Sequence, residues 1–269
     1  MPNISAEIQN GVYEIGLNRP HKLNALNADL LFELTEVVRE AKQNSAIRSV
    51  LLYGEGEGFC AGGDLTDFGI DPDNPIEIKE FLQIGHEAIV GLYNMEKPVI
   101  TSVHGPAVGA GCNLAFACDV IVADESATFS EIFAKVGALP DLGGLYFLPQ
   151  KIGMHKAAEL IFTGEKVSAP MALEYGLINE MVTDGQSIDR GRELASMLAS
   201  GPTKSLGMAK RIMHQAPYSS LEKYWRWRLM GNRSYFKQKI LLKAEKHLLK
   251  NVNLIFKAVN NQSTTSSKN

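Results

Sequence analysis

Short apolar runs alternate with helical segments along the first half of the chain, and this alternation limits the folds that the sequence can adopt. Three of the runs, Ser49–Gly54, Pro98–Val103 and Val120–Ala123, contain no charged residue, as expected of strands that are covered on both faces. A helical segment precedes the first run at Ala28–Gln43, where apolar residues recur at helical spacing. Strands that alternate with helices favour an α/β architecture with mostly parallel pairing.

Two alternating segments open the chain, near Ile4–Ile8 and Val12–Leu17. Alternation of apolar and other residues is typical of strands with one covered face. The sequence Asn18-Arg19-Pro20 supplies a turn signal directly after the second segment. The sequence therefore predicts a hairpin of strands at the N-terminus.

The second half of the chain carries a different pattern. From about Gly153 onward strand signals disappear and helical periodicity takes over. We therefore expect an α/β core over residues 1–200 and a C-terminal helical region over residues 201–269. Residues 224–269 are atypical within that region, because aromatic side chains there accompany a run of basic ones.

Composition excludes several classes of function. The chain has 269 residues, 45% hydrophobic content and a formal net charge of -3, so no bulk charge draws it to nucleic acid or an anionic membrane. No uncharged apolar stretch reaches the roughly 18 residues of a membrane span, and Met1–Asn10 does not resemble a signal peptide. The three cysteines, Cys60, Cys112 and Cys118, and the six histidines show no metal-type spacing. We expect a cytoplasmic protein without a metal site.

Two glycine-rich segments, Phe59–Leu65 and Gly105–Asn113, each follow a predicted strand. Small residues allow a backbone to approach a ligand closely, and a helix N-terminus presents unpaired N–H groups. Two such turns can aim two N–H donors at one oxygen, which is the arrangement of an oxyanion hole. The alternative is that both are tight turns that pack helix on strand. A nucleotide site is disfavoured because no Lys-Ser or Lys-Thr follows the glycines.

Several motifs together resemble the crotonase (enoyl-CoA hydratase/isomerase) superfamily in order and spacing, over roughly residues 5–223. They are Asn18-Arg19-Pro20 with Asn24-Ala25-Leu26, Phe59–Leu65, Lys97-Pro98-Val99, Gly105–Asp119 and Leu139–Gly144. The resemblance implies an α/β fold, a crotonase-like spiral of ββα units with a helical C-terminal extension, and assembly as a homotrimer or hexamer. It also implies an acyl-CoA thioester substrate, with no cofactor beyond the coenzyme A that the substrate carries.

The same resemblance assigns binding roles to individual positions. The two oxyanion donors of the family fall on the backbone N–H groups of Gly63 and Ala110. Lys22 lies where the family often contacts the phosphates of coenzyme A. The turn that typically supports the adenine corresponds to Ala61, Gly62, Asp64 and Leu65.

The two positions that carry carboxylates in the hydratases of this superfamily hold other residues here. They fall on Asn113 and Phe133. An amide does not titrate and a phenyl ring has no proton to donate, so hydration by two carboxylates is disfavoured. Glu131 lies two residues before Phe133, and on a short helical or extended segment we expect its side chain to point elsewhere.

A different acid, Asp141, lies in the segment Leu139–Gly144. One interpretation is that Asp141 only caps the helix that begins near Leu142. However, Asn113 combined with Asp141 resembles the ring-epoxide isomerases of phenylacetyl-CoA breakdown and related double-bond isomerases. This resemblance implies that Asp141 is catalytic and moves a proton along the acyl chain. Asn113 is the second catalytic candidate. It either orients the substrate or a water molecule, or it is a structural polar residue.

The chain departs from the family beyond Lys223. Trp225 and Trp227 accompany a basic run with one acid, Glu245, which suggests an RNA-binding surface. A shifted reading frame explains this ending better, because suitable codons for residues 223–256 spell a family-like terminus in the neighbouring frame. The leading interpretation is an acyl-CoA isomerase, and the alternatives are an enoyl-CoA hydratase or a catalytically silent or RNA-binding member of the superfamily.

Overall fold

The computed structural model describes residues 2–67, 69–71 and 73–236. The chain divides into two compact units, of which the first ends at Lys210 and the second begins at Arg211. Within the described ranges, no helix has both the length and the apolar character that crossing a membrane requires.

The strands of the first unit form two sheets. In chain order they are β1 (Ile4–Gln9), β2 (Val12–Leu17), β3 (Ser49–Gly54), β4 (Val99–Val103), β5 (Pro106–Val108), β6 (Val120–Asp124), β7 (Thr128–Ser130), β8 (Lys166–Ser168) and β9 (Glu180–Val182). The larger sheet has the order β1-β2-β3-β4-β6-β9. Its first pair is antiparallel and the following pairs are parallel. In the smaller sheet, β7 lies between β5, which is parallel to it, and β8, which is antiparallel.

The helices follow the strands along the chain. They are α1 (Ala28–Gln43), α2 (Pro75–Asn94), α3 (Ala110–Phe116), α4 (Gly144–Ile152), α5 (Met154–Thr163), α6 (Ala169–Tyr175), α7 (Ser187–Ser200), α8 (Thr203–Gln215) and α9 (Leu221–Phe236). Short 3-10 helices cover Pro20–Lys22, Ile132–Val136 and Ala216–Tyr218. The Asn27 side chain begins α1 by accepting a hydrogen bond from the Leu30 N–H, and Asn74 begins α2 in the same way.

The central strands of the larger sheet are covered on both faces. Val50 and Leu52 of β3 belong to a core cluster that includes residues of α1 and α2, such as Leu30. Leu51, on the opposite face of the same strand, packs in a second cluster with Ala195 of α7. Coverage on both sides accounts for the absence of charge in these strands.

Most of the predicted elements of the first half are confirmed, including the N-terminal hairpin, α1 and the three apolar strands. The expectation that strands end before Gly153 is wrong, because β8 and β9 lie beyond it. Each has three residues, which is too short to show a period of two. β9 nevertheless extends the larger sheet by pairing with β6.

The described part of the second unit contains α9, where aromatic and basic side chains pair within the helix. The Arg228 guanidinium lies 5.5 Å from the ring centre of Trp225, and the Lys223 ammonium lies 5.2 Å from that of Trp227. Residues 237–269, which hold most of the predicted atypical ending, lie outside the described residues.

Candidate active site

An apolar cavity of about 270 Å³ lies where the two glycine-rich turns meet α2 and the segment 132–142. Its walls include Phe81 and Leu82 of α2, and Phe133 and Leu142 from the segment. Among the described residues that line it, Asp141 has the one titratable side chain. The cavity therefore suits an apolar group that approaches a single carboxyl.

The two glycine-rich turns run side by side against the cavity. The Cys60 N–H donates to the Pro106 carbonyl at 3.0 Å, and the Val108 N–H donates to the Cys60 carbonyl at 2.9 Å. Gly62 has φ +94°, and a Cβ there would lie 2.7 Å from the Val108 carbonyl oxygen. A Cβ on Gly111 would lie 2.5 Å from the Cys60 carbonyl oxygen. The glycines are therefore required for the turns to approach each other this closely.

The backbone N–H groups of Gly63 and Ala110 belong to residues that line this cavity. Leu26 pairs with the turn through the Gly62 carbonyl and the Asp64 N–H, at 2.7 and 2.9 Å. A parallel bridge of this kind leaves the N–H of the central residue, Gly63, on the opposite side. Ala110 is the first residue of α3, so its N–H has no partner within the helix. Two donors in this arrangement can hold an oxygen that gains negative charge.

Asp141 lies between the 3-10 helix Ile132–Val136 and α4. Its Oδ1 atom is buried without a hydrogen-bond partner among the described residues. Burial raises the pKa of the Asp141 carboxyl, and the positive charge of His86 opposes part of that rise. The next residue, Leu142, has φ +44°, a left-handed conformation that costs a non-glycine residue free energy. The backbone directly after Asp141 is thus held in a conformation that surrounding contacts must maintain.

The interpretation of Asp141 as a helix cap is wrong. The capping position of α4 is Gly143, and no side chain makes a cap hydrogen bond there. Asp141 contributes its backbone carbonyl instead, which accepts from the Gly144 N–H at 3.1 Å. Its carboxyl therefore has no part in beginning the helix.

Asn113 is fully buried behind Asp141 and is not among the residues that line the cavity. Its Nδ2 donates to the Asp141 carbonyl at 2.9 Å. The amide occupies the space above Gly144, where a Cβ would lie 2.6 Å from Nδ2. This position suits an amide that orients the Asp141 backbone, whereas the catalytic role that the sequence suggested for Asn113 stays a prediction.

Glu131 approaches the same amide from the other side. Its Oε2 lies 3.5 Å from Asn113 Nδ2, and its exposed fraction is 2%. Burial raises the pKa of Glu131 to about 8; the Asn113 hydrogen bond opposes the rise, and the charge of Asp141 adds to it. Glu131 points away from the cavity, as expected, but its contact with Asn113 was not foreseen. The signal for it was a single charged residue inside the otherwise uncharged stretch Ala127–Phe133.

Phe133 occupies the cavity wall where the resemblance would place a second acid. Its ring atoms lie 3.4 Å from the position of a Cβ on Gly109, which is the capping residue of α3. The ring therefore adds apolar surface beside the Ala110 N–H. The structure brings together Gly63, Ala110, Asp141 and Phe133 around one cavity.

The predicted coenzyme-binding positions differ in their surroundings. Ala61, Gly62 and Leu65 line the cavity, and Leu65 is 70% exposed. Lys22 is exposed, and its ammonium donates to the Thr66 hydroxyl at 3.1 Å. The contribution of these residues to coenzyme binding stays a prediction.

Asp64, by contrast, is buried in the turn that it stabilises. Its carboxylate forms an ion pair with Arg19 at 3.0 Å and accepts from the Thr66 hydroxyl at 2.7 Å. Although burial alone would raise it, hydrogen bonds from Thr66 and Arg19 lower the pKa of Asp64 to about 2. The Asp64 carboxylate therefore stabilises the turn through these contacts. A contact between Asp64 and coenzyme A is a prediction from resemblance alone. Across the described residues, no group of three or more His, Cys, Asp or Glu side chains is placed to hold a metal ion.

Comparison with known proteins places these observations in a family. The sequence model of a family described as enoyl-CoA hydratase/isomerase matches residues 7–248. The chain is 36% identical over 227 residues to 1,2-epoxyphenylacetyl-CoA isomerase of Escherichia coli K12, covering 82% of this chain and 86% of that protein. It is 34% identical over 214 residues to a short-chain-enoyl-CoA hydratase of Clostridium acetobutylicum, covering 79% of this chain and 81% of the relative.

A solved structure of an enoyl-CoA hydratase from Polaromonas sp. JS666 has a TM-score of 0.86 with this chain at 28% identity. That similarity covers 92% of this chain and 97% of the other. The α/β fold of ββα units expected from the sequence is confirmed. Isomerase and hydratase names both occur among the relatives, so similarity alone does not separate the two reactions.

Proposed function

This chain belongs to the enoyl-CoA hydratase/isomerase family, and we propose that it is an isomerase in which Asp141 moves a proton along the acyl chain of a coenzyme A thioester. The observation that carries this proposal is the chemistry of the cavity wall. Among the residues that the structure describes, this wall offers one carboxyl, on Asp141, and an apolar ring, on Phe133, where hydration by two carboxylates needs a second acid.

A proton shift needs one group that takes the proton and returns it at another carbon. Asp141 suits this task because burial raises its pKa, which makes its ionised form a stronger base than an exposed aspartate. Removal of a proton from the acyl chain places negative charge on the thioester oxygen. The N–H groups of Gly63 and Ala110 stabilise that charge, and each donor is typically worth about 2.7–4 kcal/mol in the transition state.

The side chains that line the cavity favour a substrate with an apolar acyl group. Phe81, Leu82, Phe133 and Leu142 surround the space beside Asp141, and they offer no hydrogen-bonding side chain to a polar acyl chain. Coenzyme A enters as part of the substrate and no further cofactor is needed. The proposal extends to a ring or an aliphatic chain of moderate size, in the form of an unsaturated or epoxidised acyl thioester.

The second candidate function is hydration of an enoyl-CoA ester. It is favoured by relatives that carry the hydratase name, such as the Clostridium acetobutylicum protein. In that case Asp141 would both activate the water and return the proton. Turnover of the same enoyl-CoA esters in water separates the reactions, because hydration consumes the double bond whereas isomerisation relocates it.

The family resemblance implies a homo-oligomer, and the basic ending leaves RNA binding as an alternative to be tested. Assembly as a homotrimer or hexamer is tested by light scattering of the purified chain. RNA binding by the basic ending is tested by comparing the full chain with one that ends at Lys223, over a range of salt concentrations. We expect no salt-dependent RNA binding by either chain, because the two tryptophans of α9 already pair with basic residues of the same helix.

Replacement of the proposed base is the direct test of the reaction. Asp141→Asn keeps the size of the side chain and removes its basicity, so we expect kcat for double-bond migration to fall about 10²- to 10⁴-fold. Binding of a saturated acyl-CoA should stay unchanged. The measurement is a spectrophotometric and chromatographic assay over straight, branched and ring enoyl-CoA esters and a ring epoxide. Asp29→Asn, at an exposed position of α1, is the matched control. Retained turnover in Asp141→Asn would reject the assignment.

A further inference from the structure

Glu131 lies behind the candidate active site, where its carboxyl contacts the side chain of Asn113, which in turn contacts the Asp141 carbonyl. It follows β7 directly, and 2% of it is exposed. It does not line the apolar cavity beside Asp141. Instead it lines a separate cavity of about 10 Å³, together with Cys112, Phe129 and Glu165. Its carboxyl therefore does not reach a substrate held in the larger cavity.

The contacts of Ser130 and Glu131 hold α3 at two points. The Ser130 carbonyl accepts from the Gly109 N–H at 2.7 Å, directly before the first residue of α3. Oε2 of Glu131 lies 3.5 Å from Nδ2 of Asn113, one turn further along the helix. Two consecutive residues at the end of β7 thus contact both the start of α3 and the side chain that reaches Asp141.

The amide of Asn113 faces two acceptors with its nitrogen. Nδ2 donates one hydrogen to the Asp141 carbonyl at 2.9 Å and the other towards Glu131. If the Asn113 amide were rotated by 180°, its Oδ1 atom would face the Asp141 carbonyl oxygen and the Glu131 carboxyl. The Asp141 carbonyl has no hydrogen to donate to Oδ1. The Asp141 carbonyl, which can only accept, therefore selects this orientation of the amide, and in it the Glu131 carboxyl lies where it can accept the second hydrogen.

We infer that Glu131 is a positioning residue, which orients the Asn113 amide and through it holds the Asp141 backbone so that the carboxyl faces the cavity. The inference rests on the proposed function of Asp141. The segment that Asn113 holds includes Leu142 with φ +44°, a conformation that persists only when its surroundings enforce it. Without the contact from Glu131, the amide loses one of its two partners and the segment relaxes.

Substitutions at position 131 separate the loss of the acceptor from the loss of the acid. Glu131→Gln keeps an oxygen that accepts from Asn113, whereas Glu131→Met fills a similar volume without one. Misplacement of a catalytic group by about 1 Å typically costs about 10²-fold in rate, so Glu131→Met should lower kcat about 10- to 100-fold. The Kd for a saturated acyl-CoA should not change, and Glu131→Gln should keep most of its kcat. The control is Glu165→Met, which lines the same small cavity but is exposed.

A merely structural role for Glu131 predicts a different result. Glu131→Met would then unfold at lower temperature while the folded enzyme kept its kcat, and Glu131→Gln would rescue stability alone. Wild-type kcat in Glu131→Met overturns the inference, and so does a kcat in Glu131→Gln as low as in Glu131→Met. Should the methionine variant fail to fold, Glu131→Ala removes the acceptor without crowding and is judged in the same way.

Crystal structures of the Gln and Met variants decide the question even if the proposed reaction is wrong. The distance from Asn113 Nδ2 to the Asp141 carbonyl, 2.9 Å in the native chain, should persist in Glu131→Gln and be lost in Glu131→Met. Persistence in both variants overturns the positioning role. Turnover by Asp141→Asn on the same substrates rejects the proposed function instead, so the two failures are distinguishable.

Discussion

Asp141 depends on its surroundings for the protonation state that the proposed reaction needs. Only the ionised carboxylate can remove a proton, and burial raises the pKa of this group. kcat/KM should therefore decline as the pH falls through the pKa of Asp141, which burial raises above the ordinary aspartate value. The positive charge of His86 lowers the pKa of Asp141, so His86→Gln should move this decline to higher pH.

The measurement is a pH profile of kcat/KM for double-bond migration in the wild type and in His86→Gln. His155→Gln, an exposed histidine on α5, serves as the control and should leave the profile in place. A decline that stays at the same pH, or moves to lower pH, in His86→Gln would contradict the electrostatic account of the site.

Glu131 should leave a signature in the stability of the folded chain. Burial raises the pKa of its carboxyl from an ordinary value of 4.5 to about 8 in the folded state. Between these values the unfolded chain has lost a proton that the folded chain keeps, so the free energy of unfolding decreases as the pH rises from 4.5 to 8. Each pKa unit corresponds to about 1.4 kcal/mol, which makes the loss several kcal/mol.

Glu131→Gln removes this titration. Urea denaturation at pH 5 and pH 8 should therefore show a smaller loss of stability in the variant than in the wild type. The titratable groups near Glu131 are Asp141, the thiol of Cys112 and the exposed Glu165, and all of them remain in the variant. Equal losses in the two proteins would show that Glu131 is ionised in the folded state at neutral pH.

The candidate site was only partly predictable at the level of single residues. The glycine-rich turns carry a local signal for an oxyanion hole, and the family resemblance then assigned its donors to Gly63 and Ala110 and the catalytic carboxyl to Asp141. The contact of Glu131 with Asn113 could not be predicted, because the two residues are 18 positions apart and meet through the packing of β7 against α3. The ion pair between Asp64 and Arg19 likewise joins residues that are 45 positions apart in the chain.

At the level of elements, length decided what the sequence could predict. α1 could be predicted at both ends, since Asn27 supplies a capping side chain and a mostly apolar stripe continues to Ala41. β8 and β9 were missed because three residues carry too little pattern and their pairing partners are distant in the chain. The parallel arrangement of β2, β3, β4 and β6 followed from the alternation of strands with helices.

The approach of α3 to the turn Phe59–Leu65 is the element contact on which the proposed oxyanion hole depends. In Gly111→Ala the new Cβ would lie 2.5 Å from the Cys60 carbonyl oxygen and 2.7 Å from its Sγ. The helix must then move away from the turn, which separates the N–H groups of Gly63 and Ala110. We expect kcat to fall about 10²- to 10³-fold, as on loss of one oxyanion donor, and stability to fall by about 1–3 kcal/mol.

Steady-state kinetics and urea denaturation of Gly111→Ala test this expectation together. A loss of stability without a loss of kcat in the folded fraction would show that the spacing of the two turns does not set the rate. In that case the oxyanion donors would have to be sought elsewhere along the cavity wall.

At the scale of the whole chain, the division at Lys210 has a physical cause. Its ammonium donates to Asp119 Oδ2 at 2.8 Å and to the Leu92 carbonyl at 2.9 Å. The same carboxylate oxygen accepts from the Val99 N–H at 2.8 Å. The first turns of α8 are thereby tied to α2 and to the start of β4, so residues 201–210 belong with the α/β unit that precedes them.

Lys210→Met should therefore destabilise the first unit, because it removes the ammonium that donates a hydrogen bond to the buried side of the Asp119 carboxylate. Breaking a buried ion pair typically costs about 3–5 kcal/mol, and we expect the lower part of this range because 21% of the Asp119 side chain is exposed. Lys204→Met, at an exposed position of the same helix, should have little effect. Urea denaturation of both variants, and of Lys210→Met combined with Asp119→Leu, measures the contribution. If the double variant is no more stable than Lys210→Met alone, the unpaired carboxylate is not the cause of the loss.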